Sequence, residues 1–242
     1  MLLLIAALLA PLDASVQNVV TAIGAAAREN ATKPEKERLA GDALADFYFR
    51  RACASGEAAE AVIYALAYTL DPADTLARNP FSGDIFKNVE STDDRKARLA
   101  AMGMPTLRGR DDWLVHFALS GGLALLIGEQ MAESLGIQKE VADAKGKGRD
   151  AGTGFSFADL NANVSGIAFA EWLVGEKSKQ AIETCRKGFQ GTIFLPEPRG
   201  LADGLTWTEF EKEWISVADA KFRDERQRLR ARVQELKVYQ DH

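Results

Sequence analysis

An all-α fold, a single irregular helical bundle with ordered loops, is predicted by three observations. Helix caps recur along the chain, apolar residues repeat at helical spacing, and no segment alternates as strands do. The balance of 47% hydrophobic and 27% charged residues over 242 positions excludes a disordered or fibrous chain and supplies a core for one domain. A formal net charge of -5 argues against nucleic acid as a partner, because phosphate binding usually takes a basic face.

The elements follow in order. Val16, Val19, Val20, Ile23 and Ala27 share one face of a first helix. Pro34, Glu35 and Glu37 predict the start of a second, with Leu39, Leu44 and Phe47 inward. A third spans residues 58–70, after Gly56 and before Asp71-Pro72. Residues 78–89, with Asn79-Pro80 and Ser82-Gly83-Asp84, read as an ordered loop. Ser91 and Asp94 have capping-box spacing ahead of a short helix that ends near Gly103. A long helix is expected over 111–135, closed by Gly136, then another over 137–145 and a glycine-rich loop over 146–154. Ser156 and Asp159 repeat the box spacing and open a helix through Trp172. Another helix is expected around 179–187. Only residues 192–195 look extended within the Pro- and Gly-rich stretch 188–204. Thr208 with Glu211 marks a penultimate helix, and residues 218–238 a charged terminal one.

Residues 1–10 are apolar and precede Pro11 and small residues near Ala14. The run is too short to span a bilayer. It fits a secretory signal over 1–14, with the domain over 15–242, although no Lys or Arg precedes it. A buried first helix is the alternative. Export implies a periplasmic or secreted protein, and its absence a cytoplasmic one. Cys53 and Cys185 form no CxxC motif; they would pair in an oxidising compartment and be buried thiols in the cytosol.

The chemistry centres on His116, because the only other histidine is His242. Asp112 lies one turn earlier on the same face and is expected to hold one ring nitrogen, leaving the other for a substrate, proton or metal. Lys139, Glu140 and Asp143 cluster on the following helix, and Asp159 and Asn163 stand one turn apart on an apolar one opened by Ser156. Polar residues on apolar helices need partners, and the economical solution is that they meet. His116, Glu140 and Asp159 are thus candidate catalytic residues, within a polar cluster of Asp112, Lys139, Asp143, Ser156 and Asn163. The rival reading gives Asp159 only a capping role. A straight helix of about 25 residues, roughly 37 Å, would separate His116 from Glu140. A break or kink at Gly121-Gly122 would shorten that gap, and Asp159 is expected nearer His116 than Asp143 is.

The order Asp112-x-x-x-His116-Phe117, Lys139-Glu140-x-x-Asp143, then Gly154-x-Ser156-x-x-Asp159-Leu160 and Gly166 resembles the YfiM-like predicted periplasmic lipoproteins, themselves similar to the VanZ-like membrane proteins. The match covers residues 112–170. The resemblance implies a helical core and a cell-envelope setting, and brings no settled activity. Trp113 stands where that family usually has lysine, Asn163 where it has aspartate, and no cysteine follows the leader as a lipidation site.

Other signatures fail. Asp112, His116 and Ser120 project from one helix without a nucleophile elbow, so a serine triad is not expected. The chain lacks the well-placed histidines and cysteines of an ordinary zinc site, and no loop pattern supports a hard cation on Glu140, Asp143 and Asp159; no metal or cofactor is expected. The loop Gly146-Lys147-Gly148-Arg149-Asp150 lacks a phosphate-binding ending. Arg226, Arg228, Arg230 and Arg232, spaced by two, read as a solvated helix rather than a nucleic-acid stripe. Two readings of function follow. One is a non-catalytic envelope protein that binds a partner or glycan, with peripheral membrane association. The other is an envelope hydrolase using His116 and its acidic partners. A cleft reaching His116 favours the hydrolase, a sealed cluster the binding protein.

Overall fold

Helices account for nearly all of the regular structure. The computed structural model describes residues 2–78, 83–146 and 152–240. In chain order the helices are α1 (Leu2–Thr32), α2 (Gly41–Cys53), α3 (Ala59–Leu70), the short α4 (Thr75–Arg78) and α5 (Gly83–Phe86), α6 (Thr92–Ala101), α7 (Asp111–Ile127), α8 (Glu129–Ala144), α9 (Phe157–Val174), α10 (Ser178–Gly188), α11 (Trp207–Trp214), α12 (Ala220–Gln234) and α13 (Lys237–Gln240). Among the described residues there is no strand, only isolated bridges such as Phe155 with Leu205. No helix there is long and apolar enough to cross a membrane.

The central pair is α7 and α9, apolar on nearly every side and therefore buried on nearly every side. Glycine lets their backbones touch. A Cβ on Gly166 would overlap the Phe117 carbonyl, and one on Gly121 would lie 2.9 Å from the Gly166 oxygen. The next layer is α3, with Ala67 against Gly122, and α1 lies over α2, α3 and α6. Apart from the half-buried Leu12, the described core contacts of α1 begin at Val16. The Cys53–Cys185 disulfide, with Cα atoms 6.0 Å apart, ties α2 to α10, and Phe49 stacks on Phe189 beside it. A smaller core gathers Phe155 and Phe157 at the head of α9, Phe210 of α11, Phe222 of α12 and Ile137 of α8. It clamps the start of α9 beside α8.

Several boundaries differ from expectation, each for a local reason. The long helix breaks at Gly128, whose φ of 86° and ψ of 153° suit almost only glycine. Gly121-Gly122 do not kink; they admit neighbouring helices. Gly136 does not end a helix either, because it sits inside α8 where a Cβ would lie 2.6 Å from Asn163 Nδ2. After Pro34 only a 3-10 turn forms over Glu35–Glu37, since Asn30 holds the backbone of Leu39 through two hydrogen bonds of 2.8 and 2.9 Å. Leu44 is buried, and Leu39 and Phe47 half-buried. The loop at 78–89 contains α5, anchored by Phe86 stacked on Tyr68. Residues 192–195 are not extended: a 3-10 turn over Gly191–Ile193 buries Phe194 and Leu195. The penultimate helix is capped two residues earlier than expected, by a reciprocal Thr206–Glu209 box that lets Trp207 stack on Phe210. The terminal helix starts after its Asp219 cap and stops at Gln234. It is not simply solvated. Arg226 and Arg230, one turn apart, both bond the buried Glu133 of α8, whereas Arg228 stays exposed. Asn79, Pro80, Ser82, the loop residues Lys147 to Asp150, Met1 and His242 lie outside the described residues.

Candidate functional site

Two stripes of polar residues face each other across the α7–α9 contact. Helical spacing puts Trp113, His116 and Ser120 on one side of α7, and Asp159 and Asn163 on the facing side of α9. His116 Nδ1 lies 2.9 Å from Asn163 Oδ1, and Nε2 lies 3.3 Å from Asp159 Oδ2. Trp113 Nε1 donates to the other Asp159 oxygen at 3.1 Å, and Ser120 Oγ donates to Asn163 Oδ1 at 2.8 Å. Asn163 Nδ2, packed against Gly136, has no partner among the described residues.

The cap at the head of α9 explains why Asp159 is free to do this. Ser156 Oγ accepts from the Asp159 backbone N–H at 2.9 Å, as an N-cap should. In a complete capping box the acid three residues on would accept the Ser156 N–H in return. Glu140 of α8 takes that role instead, with Oε2 3.1 Å from Ser156 N. The Asp159 carboxylate therefore points at His116 and Trp113. Its role is not confined to capping.

Asp112 does not hold the imidazole. Arg110, the residue before α7, folds back onto it with two hydrogen bonds of 2.8 and 2.5 Å, and Asp203 supports the same guanidinium at 3.2 Å. The Arg110 bond holds the Asp112 carboxyl below its ordinary range despite partial burial. Lys139 bridges Asp143 at 2.8 Å and Glu140 at 3.4 Å. Asp143 ends at that pair, half-buried, so Asp159 and not Asp143 reaches the imidazole.

Burial and charge shape the centre. Glu140 is 0% exposed, and burial pushes its carboxyl up to about 7; Asp159 adds to the rise, while Lys139, His116 and the Ser156 N–H oppose it. Burial would lower His116, but the hydrogen bond and charge of Asp159 outweigh it and raise the imidazole above 6.5. Lys139 is likewise raised: its partial burial is outweighed by Asp143 and the nearby acids.

A cavity of 280 Å³ reaches this cluster. Leu119, Leu123, Ala132 and Leu135 form apolar walls, and His116, Ser120, Lys139 and Asn163 form the polar end. His116 is 8% exposed there. The structure thus joins His116, Glu140, Asp159, Ser156 and Asn163, adds Lys139 and Asp143 at the rim, and leaves Asp112 out. Sequence reasoning missed Trp113 and Gly136. The available signal for the first was its indole N–H, since a polar handle on an apolar helix needs a partner. No family model, no curated protein and no solved structure matches the chain.

Proposed function

We propose that the protein is a non-catalytic cell-envelope binding protein. Its ligand is a small amphiphile, with an apolar body between α7 and α8 and a compact polar headgroup against His116, Ser120 and Lys139. One observation carries this: the cavity is walled by apolar side chains and ends on polar groups that already hold one another. A general acid or base must offer its proton or lone pair to a substrate. Both nitrogens of His116 face internal partners, and Ser120 bonds Asn163 rather than the imidazole. The unpartnered Asn163 amide adds a donor at the polar end. A glycan suits the apolar walls less well than an alkyl chain does.

The Cys53–Cys185 disulfide supports an oxidising, extracytoplasmic compartment, as do the leader-like first residues and the YfiM-like order of motifs. Peripheral association with a membrane, where such ligands reside, belongs to the same reading. The access of the cavity to His116 favours the hydrolase alternative, in which His116 works with Glu140 and Asp159.

Native mass spectrometry of the full chain with dodecanoate tests the proposal. One dodecanoate per chain is expected, recovered unchanged, and Leu119→Trp should abolish binding by filling the cavity. Maltotriose should not bind. Binding of maltotriose alone, or dodecanoate binding indifferent to Leu119→Trp, would overturn the reading. Cleavage of a dodecanoate ester that is lost in His116→Ala would favour the hydrolase.

A further inference from the structure

We infer that His116, Glu140 and Asp159 form a site for one divalent first-row cation, with Zn²⁺ the ion that the donors and their spacing fit. This inference rests on the cluster alone and does not depend on what fills the cavity. One ligand atom from each residue lies within 4.8 Å of the others, although the three come from α7, α8 and α9. His116 Nε2 and Asp159 Oδ2 are 3.3 Å apart. Two ligands on a tetrahedral ion with bonds of about 2.0–2.2 Å are themselves about 3.3–3.5 Å apart. The pair is already spaced as one edge of such a tetrahedron.

The outer atom of every ligand is held from behind. Asn163 Oδ1 accepts from His116 Nδ1, so that Nε2 faces only its co-ligand Asp159; the Trp113 indole holds Asp159 Oδ1; the Ser156 backbone N–H holds Glu140 Oε2. Supports of this kind orient the ligands of metal sites. Burial points the same way. Glu140 and Asp159 are buried at 0% and 5% exposure, and a cation held between them and His116 would offset the cost of burying both carboxylates. Lys139 competes weakly, 3.4 Å from Glu140, and has Asp143 as its nearer partner at 2.8 Å. Sequence reasoning set a metal aside because the chain has too few histidines and cysteines for an ordinary zinc site and no loop pattern for a hard cation; this donor set is one imidazole and two carboxylates, brought together only by the fold.

Isothermal titration of the chelator-treated full chain with Zn²⁺ is the test. One Zn²⁺ per chain is expected, unchanged in His242→Ala. Affinity should fall at least tenfold in each of His116→Ala, Glu140→Gln and Asp159→Asn, and about tenfold in Trp113→Phe, which removes only a support. Should a ligand variant fail to fold, the wild-type chain decides: Co²⁺ must give the visible absorption of a tetrahedral site, and Zn²⁺ must raise Tm. Absence of binding and of both wild-type signals overturns the inference, and so does undiminished binding by folded variants at all three ligands.

Discussion

His116 sits between two side chains that α9 presents one turn apart, and its position depends on both. Removing one partner leaves the other as a buried polar group without its mate, which costs about 1–3 kcal/mol. The two losses should therefore not add. In a cycle of His116→Ala, Asp159→Ala and the double variant, urea unfolding should give a coupling energy of about 1–3 kcal/mol; strictly additive losses would show that the 3.3 Å approach carries no energy. A second buried acid makes a pH prediction. Burial alone would raise Glu133, but hydrogen bonds from Arg226 and Arg230 bring its carboxyl below the ordinary 4.5. A carboxyl lowered in the folded state stabilises the fold above its unfolded value, and that contribution disappears as pH falls through the lowered one. Glu133→Gln should therefore be less stable than wild type near neutrality and lose less stability on acidification below about pH 4.5. Denaturant midpoints measured across that range check this, and parallel acid limbs would contradict it. At this scale the sequence revealed which polar residues had to be satisfied, since His116, Asp159 and Asn163 stand on apolar helices. It did not reveal the partners. Asp112 has the right spacing on α7, but Arg110 claims it, and that competition is decided by a backbone turn one residue before the helix.

At the scale of the elements, glycine does different work at positions that look alike in sequence. Gly166 sets the approach of α9 to α7, so Gly166→Ala must push the pair apart and should cost about 3 kcal/mol or more. Gly188, at the end of α10, has nothing within 4 Å of its would-be Cβ, and Gly188→Ala should leave stability within about 0.5 kcal/mol of wild type. Thermal or urea unfolding of the two variants compares them directly, and similar effects would refute the packing argument. The caps at Ser91 and Ser156 were legible because their signal is local. The break at Gly128 was not, since nothing local separates it from Gly136. Gly136 lies within α8, and its lack of a side chain makes room for Asn163, 27 residues on. The Thr206 cap was missed for a related reason: Thr208 has the same spacing to an acid, and stacking of Trp207 on Phe210 selects between them.

Across the whole molecule, the helical architecture follows from periodicity, while the closure of the bundle depends on contacts far apart in sequence. The disulfide spans 132 positions and joins α2 to α10, which pack directly on each other. A crosslink over so long a loop restricts the unfolded chain strongly, and its loss typically costs about 2–5 kcal/mol. Replacing both cysteines by alanine should lower the urea midpoint accordingly, and reduction of the wild type should lower it alike. An unchanged midpoint would show that the pair does not form. The cysteines were visible in the sequence, but pairing needed their distance, and the cavity needed the turn at Gly128 that lays α8 back against α7 and α9. The central claim is that this cavity binds a ligand whose headgroup meets His116. With only two histidines in the chain, the imidazole resonances can be followed one by one in heteronuclear magnetic resonance during a dodecanoate titration. The account predicts that the His116 ring signals shift to saturation at one equivalent, that those of His242 stay fixed, and that Leu119→Trp removes the effect. His116 signals that remain still at saturating dodecanoate would contradict it.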